Sequence, residues 1–123
     1  KQQTEFVQVL HPADPDCAGH QYWNEICSEG HSAGLVSVIF DAKFSFEDIR
    51  HFCDALTLFK LGFSWGGPVS LVMLYNLKDM RVLEHSHLKD GFLVRFCIGL
   101  EHPQDLIQDI QYALEHMKKP KNE

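Results

Sequence analysis

Residues 93–114, LVRFCIGLEHPQDLIQDIQYAL, contain the two patterns that decide the fold, a strand and the helix that follows it. The strand is predicted over residues 92–98, where apolar side chains alternate onto one face. The helix is predicted to begin at His102 and Pro103, because proline is well tolerated at the first helical position. Apolar residues then recur at helical spacing and predict one buried stripe, which comprises Leu106, Ile107, Ile110, Ala113, Leu114 and Met117.

A second amphipathic helix is predicted to open at Ser45, because Ser45 and Asp48 have the spacing of a capping box. Its apolar face comprises Ile49, Phe52, Cys53 and Leu56. Further strands are predicted at residues 6–10, 35–40 and 59–63, a strand or short helix at 71–75, and a short helix at 19–27. Two helices with one apolar face each would cover one side of a sheet. The sequence therefore predicts an α+β fold with two layers and a mainly antiparallel sheet.

Length and composition are those of one globular domain, which we assign to residues 1–123, with 118–123 expected to form a frayed tail. The chain is 45% hydrophobic and carries a formal net charge of −6. This acidity argues against nucleic acid and anionic membranes as partners. No apolar run is long enough to span a bilayer, and residues 1–5 do not resemble a signal peptide.

The four cysteines are Cys17, Cys27, Cys53 and Cys97. Two of them, Cys53 and Cys97, lie in a helical and a strand pattern among apolar neighbours. Cysteines in such positions are usually reduced packing residues. We therefore expect a reducing, cytoplasmic environment.

Arg95 lies in the middle of the predicted strand, on the opposite face from Val94, Phe96 and Ile98. A charged group among apolar neighbours is costly unless an anion meets it. The planar guanidinium suits a carboxylate or phosphate bidentately, which makes Arg95 a candidate binding residue. The alternative is an internal salt bridge to a neighbouring Asp or Glu.

The stretch GFSWGGP, residues 62–68, places Ser64 and Trp65 between glycines and a proline. One interpretation is a tight turn with Trp65 in the core. The other is a loop whose small residues allow close backbone approach to a ligand, with Ser64 and Trp65 lining the pocket. The phosphate-binding glycine fingerprints are absent from the chain.

A zinc site is a third possibility, formed by Cys17, His20, Cys27 and His31, although this spacing matches no zinc finger closely. The remaining histidines are expected at the surface; they are His51, His85, His87, His102 and His116. No nucleophile elbow or catalytic cysteine context is present. The pair Asp105 and Asp109, one helical turn apart, is expected to form a solvated face.

Three stretches together resemble the C-terminal domain of the Cys/Met-metabolism family, the pyridoxal-phosphate (PLP) enzymes of transsulfuration with fold type I. They are VQVLHPADPDCAGHQYW at residues 7–23, LFKLGFSWGGPVSL at 58–71 and LVRFCIGLEHPQDLIQDIQYAL at 93–114. The similarity covers residues 6–117, and the serine–tryptophan–glycine–glycine run is most similar to the bacterial cystathionine β-lyase branch.

The resemblance implies roles for three residues of this chain. Arg95 would bind the α-carboxylate of the amino-acid substrate, Ser64 would lie beside that carboxylate, and Trp65 would help to wall and orient it. The implied reaction is β-elimination of cystathionine to homocysteine, pyruvate and ammonia in methionine biosynthesis. No residue of the chain is implied to be catalytic or to bind cofactor or metal.

The resemblance also implies PLP, held by a large domain that this chain lacks, because neither Lys43 nor Lys60 matches the context of the family's Schiff-base lysine. The isolated chain is expected to be inert, and the implied assembly is a homotetramer.

Two departures from the family pattern are His102 in place of aspartate, which costs the last helix a preferred N-cap, and Val69 in place of glutamate. A γ-lyase, γ-synthase or methionine γ-lyase domain remains an alternative within the family. A zinc-binding or oligomerisation module is an alternative of another class.

Overall fold

The computed structural model describes residues 3–80 and 87–117, so the expectations for His85 and for the tail 118–123 lie outside the described residues. The described part forms an α+β fold with one sheet, as predicted. The elements in chain order are β1 (Phe6–Leu10), α1 (His20–Ile26), β2 (Leu35–Phe40), α2 (Phe46–Ala55), β3 (Lys60–Leu61), β4 (Leu71–Tyr75), β5 (Leu93–Cys97) and α3 (Pro103–Met117).

The sheet has the strand order β1-β2-β5-β4-β3. Its pairs are antiparallel except for β3 and β4, which run parallel. In the central register Arg95 of β5 lies between Ser37 of β2 and Met73 of β4. The strand that carries the arginine is therefore the middle strand of the sheet.

Helix α2 begins where the capping box predicts. The Ser45 N–H donates to Asp48 Oδ2 at 2.8 Å, and the Asp48 N–H donates to Ser45 Oγ at 3.2 Å. These two bonds satisfy donors that a helix N-terminus otherwise leaves without partners. Strands β1 and β2 also lie where the sequence predicts them, and residues 71–75 form a strand.

Helix α3 begins at Pro103, as predicted, and His102, which stands where aspartate would be the preferred N-cap residue, still supplies a capping acceptor. Nδ1 of His102 accepts a hydrogen bond from the Gln104 N–H at 3.2 Å. The imidazole thus supplies the acceptor that an aspartate side chain would offer at this position.

The core lies between one face of the sheet and helices α2 and α3. Phe52 of α2 is central, with its ring 5.2 Å from that of Phe40 and 6.3 Å from that of Phe96, and the Phe59 ring meets that of Phe96 edge-on at 5.2 Å. These edge-on aromatic contacts add to the free energy gained by burying the rings. The face of the sheet toward the helices is therefore completed by the chain itself.

Two predictions for α3 are wrong. Ile107 was placed in the buried stripe, but 47% of its surface is exposed. Asp109 was placed on a solvated face, but it is only 6% exposed. The reason is the loop after α2: Asp109 accepts hydrogen bonds from the backbone N–H groups of Thr57 (2.8 Å), Leu58 (2.9 Å) and Phe59 (3.3 Å) and from the Thr57 hydroxyl (2.8 Å).

The short strand β3 covers only residues 60–61, whereas the sequence predicts a strand over 59–63. It pairs with β4 through the Lys60 N–H, which donates to the Ser70 carbonyl at 3.0 Å, and the Gly62 N–H, which donates to the Val72 carbonyl at 3.3 Å. Parallel strands cannot be joined by a two-residue hairpin. Residues 62–70 therefore leave the sheet edge and return to it.

Cys53 and Cys97 are buried, as predicted, and none of the four cysteines, including Cys17 and Cys27, is joined to another among the described residues. Burial, with a smaller contribution from the charge of Asp54, raises the pKa of Cys53 to about 12. Within residues 3–80 and 87–117, no helix combines the length and the apolar character needed to cross a membrane.

Candidate substrate-binding site

The face of the sheet turned away from the helices carries Arg95 at its centre. Its cross-strand neighbours are Ser37 and Met73, and all three side chains are half-buried. Val94 and Phe96, on either side of Arg95 in the strand, point into the core. The alternation predicted from the sequence is confirmed for Val94 and Phe96 and leaves the arginine on the open face, whereas Ile98 lies beyond the end of β5 and is exposed.

Arg95 reaches from the sheet to the loop of residues 62–68, which we call the tryptophan bend. Its Nη2 atom donates to the carbonyl of Phe63 at 2.6 Å and, less closely, to those of Ser64 (3.3 Å) and Gly62 (3.4 Å). The guanidinium carbon lies 6.0 Å from the centre of the Tyr75 ring, within the range of a cation–π contact. The bend thus holds one end of the guanidinium with neutral acceptors.

No carboxylate neutralises Arg95 within the part of the chain that the structure describes. The ion pairs among these residues involve Lys43, Arg50 and His51, so the salt bridge weighed as an alternative is not found here. Its Nε atom is buried and has no hydrogen-bond partner among the same residues. A partly buried guanidinium without a carboxylate partner is costly, so this geometry favours an anion from elsewhere at the guanidinium.

The tryptophan bend presents its side chains outward. The exposed fraction is 66% for Trp65 and 71% for Phe63, and Ser64 is also exposed. The interpretation that placed Trp65 in the core is therefore wrong. Gly66 has a φ of 76°, in the left-handed region that glycine adopts without steric cost, so the run of glycines shapes the loop.

The far side of the bend is attached to the segment that follows β5. The Gly66 N–H donates to Cys97 Sγ at 3.3 Å, and the Leu100 N–H donates to the Pro68 carbonyl at 2.8 Å. A side chain at Gly99 would collide with the Pro68 carbonyl. Close backbone approach is thus required at this position.

Two residues of this attachment, Ser70 and Glu101, were missed by the sequence analysis. The Ser70 N–H donates to Glu101 Oε1 at 2.8 Å, and the Ser70 hydroxyl donates to Glu101 Oε2 at 2.7 Å. The hydrogen bonds from the Ser70 N–H and hydroxyl, and then a smaller contribution from the backbone N–H of Glu101 itself, lower the pKa of Glu101 below its ordinary value. The sequence signal that could have indicated this pair is the position of Glu101, two residues after Gly99 at the end of the predicted strand.

The zinc possibility gains no support from the described residues. They contain no group of three or more histidine, cysteine or carboxylate side chains that could hold a metal ion. His20 instead bonds the Pro12 carbonyl through Nδ1 at 2.7 Å.

The lysines considered for cofactor attachment serve local contacts. The Lys43 ammonium lies 3.7 Å from Asp41, and the Lys60 ammonium donates to the Thr57 carbonyl at 2.6 Å. Neither lies among the residues of the tryptophan bend.

Comparison with known proteins identifies one family, whose members that match this chain differ in activity. A family model described as "Cys/Met metabolism PLP-dependent enzyme" matches residues 1–115. The chain is 42% identical over 113 residues to a cystathionine beta-lyase of Bordetella avium, covering 90% of this chain and 27% of that protein. It is 32% identical over 108 residues to cystathionine beta-lyase MetC of Escherichia coli K12, covering 86% and 27%.

The fold also matches solved structures. A crystal structure from Campylobacter jejuni, named as an O-acetylhomoserine (thiol)-lyase with a pyridoxyl-lysine monophosphate, superposes with a TM-score of 0.73 at 25% identity. The match covers 93% of this chain and 24% of that one. The chain therefore spans about a quarter of the length of the relatives that it matches.

Proposed function

The chain belongs to the Cys/Met metabolism family of PLP-dependent enzymes, and from this premise we propose that it is the substrate-carboxylate-binding domain of a carbon–sulfur lyase. The proposed reaction is the β-elimination of cystathionine, carried out by the longer protein. One observation carries the proposal: Arg95 is held by three backbone carbonyls of the bend and has no carboxylate partner among the described residues. The substrate's α-carboxylate would be the missing anion.

Arg95 binds and orients in this proposal. Charge-assisted bonds from a guanidinium to a carboxylate are strong and directional. Because Nη2 is tied to the bend, the side chain is preorganised, and less conformational entropy is lost when the substrate binds. A substrate held by its carboxylate presents its α-carbon in a fixed direction, and such placement supplies much of the rate enhancement in many enzymes.

Ser64 and Trp65 line the same site in this proposal. The Ser64 carbonyl contacts Arg95, while its side chain is exposed and free to face the carboxylate. The exposed Trp65 ring would cover the bound group and exclude water, which strengthens the ion pair beneath it. The large exposed rings of Trp65 and Phe63 are consistent with a surface that another part of the protein covers.

Neither Lys43 nor Lys60 matches the context of the family's Schiff-base lysine, so in this proposal the cofactor and the lysine that holds it belong to a large domain of the same polypeptide. When bound, PLP supplies the electron sink that stabilises negative charge at the substrate's α-carbon. The open face of the sheet would look toward that domain. A homotetramer in the cytoplasm remains the assembly and location that we propose from the family resemblance.

The nearest alternative is a γ-lyase, γ-synthase or methionine γ-lyase domain. One observation keeps it open: the structural neighbour named as an O-acetylhomoserine (thiol)-lyase has the same fold. All these substrates are amino acids with an α-carboxylate, so the proposed role of Arg95 does not distinguish between them. Comparing turnover of cystathionine with that of O-acetylhomoserine and methionine by the full-length protein separates the possibilities.

The test is the substitution Arg95→Met in the full-length, PLP-loaded protein. We expect KM for cystathionine to rise about 10- to 100-fold, since a charge-assisted pair contributes roughly 1.5–3 kcal/mol. The matched control is Arg50→Met on α2, where the arginine is exposed and paired with Glu47 and Asp54. An unchanged KM in Arg95→Met, or an equal increase in Arg50→Met, would reject the proposed role.

A further inference from the structure

The tryptophan bend is attached to the sheet at both ends, and the second attachment depends on one carboxylate. At the first end, Arg95 bonds the carbonyls of Gly62, Phe63 and Ser64. At the second end, the loop enters β4 at Ser70, whose exposure is 0%. Both the N–H and the hydroxyl group of Ser70 donate hydrogen bonds to the Glu101 carboxylate.

Ser70 also receives a bond that joins the two segments. Its hydroxyl oxygen accepts from the Gly99 N–H at 2.8 Å, and the neighbouring Leu100 N–H donates to the Pro68 carbonyl at 2.8 Å. Glu101, Ser70 and Gly99 thus form one connected network between the loop of residues 62–70 and the segment that follows β5. Arg95 lies on β5, the strand that leads into this segment, so the network fixes the position of the bend relative to Arg95.

A carboxylate suits this position for a specific reason. Both partners from Ser70 are donors, and an ionised carboxylate is a pure acceptor with an oxygen for each. An amide of the same shape has one acceptor oxygen and one donor nitrogen. It would leave one buried Ser70 donor without a partner, which disturbs the network without removing the side chain.

Resting on the proposed function, we propose that Glu101 is a positioning residue for substrate binding. Through Ser70 it sets the tryptophan bend against β5, so that Ser64 and Trp65 stand at the correct distance from Arg95. Glu101 does not itself contact the substrate. It converts a glycine-rich loop, which would otherwise have several accessible conformations, into one wall of the carboxylate site.

The test compares Glu101→Gln with Asp48→Asn in the full-length, PLP-loaded protein. Asp48 is the control, because its carboxylate also accepts from the N–H and the hydroxyl of one serine, Ser45, but at the start of α2 and with both bonds on Oδ2, which an amide oxygen could still accept. We expect Glu101→Gln to raise KM for cystathionine about tenfold with kcat nearly unchanged, the loss of one charge-assisted hydrogen bond. Asp48→Asn should lower the melting temperature and leave KM unchanged.

A second measurement reports on the bend directly. Trp23→Phe leaves Trp65 as the remaining tryptophan of this chain. If tryptophans elsewhere in the full-length protein are also replaced by phenylalanine, the fluorescence comes from Trp65 alone. Acrylamide quenching of Trp65 should increase in Glu101→Gln and stay at the parent value in Asp48→Asn. Ser70→Ala, which removes the hydroxyl bridge, should shift KM and quenching in the same direction as Glu101→Gln.

The outcomes separate this inference from the proposed function. If Arg95→Met leaves KM unchanged, the proposed function fails, and Trp65 quenching alone then decides whether Glu101 sets the bend. If Arg95→Met raises KM while Glu101→Gln changes neither KM nor quenching, the positioning role is overturned. Equal losses of melting temperature in Glu101→Gln and Asp48→Asn, with parental KM and quenching in both, would also overturn it and leave Glu101 a structural residue.

Discussion

The two faces of the sheet have opposite characters. On the face covered by α2 and α3, Phe40 and Phe52 are fully buried and the neighbours are apolar. On the open face, Arg95 is only half-buried, and Trp65 is 66% exposed in the loop beside it. The covered face is complete within the chain, so its residues act mainly on stability. On the open face, no carboxylate among the described residues pairs with Arg95, and the rings of Phe63 and Trp65 are exposed, which is the pattern of a binding surface.

The two faces also differ in what a buried or partly buried carboxylate holds in place. Asp109 ties the loop after α2 to α3 on the covered side, and Glu101 ties the tryptophan bend to the segment after β5. Both accept from backbone N–H groups and a hydroxyl. If the comparison is correct, disturbing the first should change folding, and disturbing the second should change substrate binding.

The largest expected effect is Phe52→Ala, measured against Phe63→Ala on the bend. Phe52 is fully buried between Phe40 and Phe96, so its truncation should lower the free energy of unfolding of the chain by about 3–5 kcal/mol. Phe63 is 71% exposed, and its truncation should stay within about 0.5 kcal/mol. Urea unfolding measures both; similar losses in the two variants would mean that the faces do not differ as described.

An intermediate effect is expected for Asp109→Asn. Burial on its own raises the pKa of Asp109, but the hydrogen bonds from Thr57, Leu58 and Phe59 outweigh it, so the pKa lies below its ordinary value. A carboxylate with a lowered pKa stabilises the fold above the unfolded pKa of about 3.9, and this stability is lost as the pH falls through the folded value.

Asp109→Asn should therefore lower the free energy of unfolding at pH 7 by about 1.5–3 kcal/mol, the worth of a hydrogen bond to a charged group. The difference from the parent chain should shrink as the pH falls below about 4. The control is Asp105→Asn, an exposed residue one turn earlier on α3, which should change little. A difference that is constant from pH 7 to pH 3 would contradict the assigned role of the carboxylate.

The smallest effect on stability is expected for Trp65→Ala. Two-thirds of its surface is exposed, so the free energy of unfolding of the chain should change by less than about 0.5 kcal/mol. In the full-length protein the same substitution should raise KM for cystathionine, because the ring is proposed to cover the carboxylate. A loss of stability above about 1 kcal/mol, read from urea unfolding, would show that Trp65 packs like a core residue and would break the comparison.

Much of the fold could be predicted because its signals are local. The capping box at Ser45 and Asp48, the alternation around Arg95 and the proline that begins α3 each depend on neighbours within a few residues. Periodicity also located the stripe of α3, but it placed Ile107 inside and Asp109 outside. Helical spacing defines a face, whereas the width of that face depends on what packs against it, here the loop of residues 57–59.

The candidate site could be predicted only in part. A mid-strand arginine and a glycine-rich loop are visible as unusual residues in their contexts, and the family resemblance supplies their proposed roles. The Glu101–Ser70 bonds join residues 31 apart in the chain, and no local pattern reports such a pair. The exposure of Trp65 was equally open, because a Gly/Pro cluster is compatible with either a tight turn or a projecting loop.

The amino-acid sequence by itself determined where α2 and α3 begin and which side chains alternate around Arg95 in β5, and its motifs carry the family resemblance. The helix starts and the alternation depend on short-range sterics, capping and periodicity, whereas the resemblance rests on the three motifs compared as whole stretches. Only the tertiary structure decided that Arg95 meets backbone carbonyls rather than a carboxylate among the described residues, that Trp65 faces outward and that Asp109 is buried. Those outcomes depend on which distant segments come together, and buried donors and acceptors impose that choice because each must find its partner.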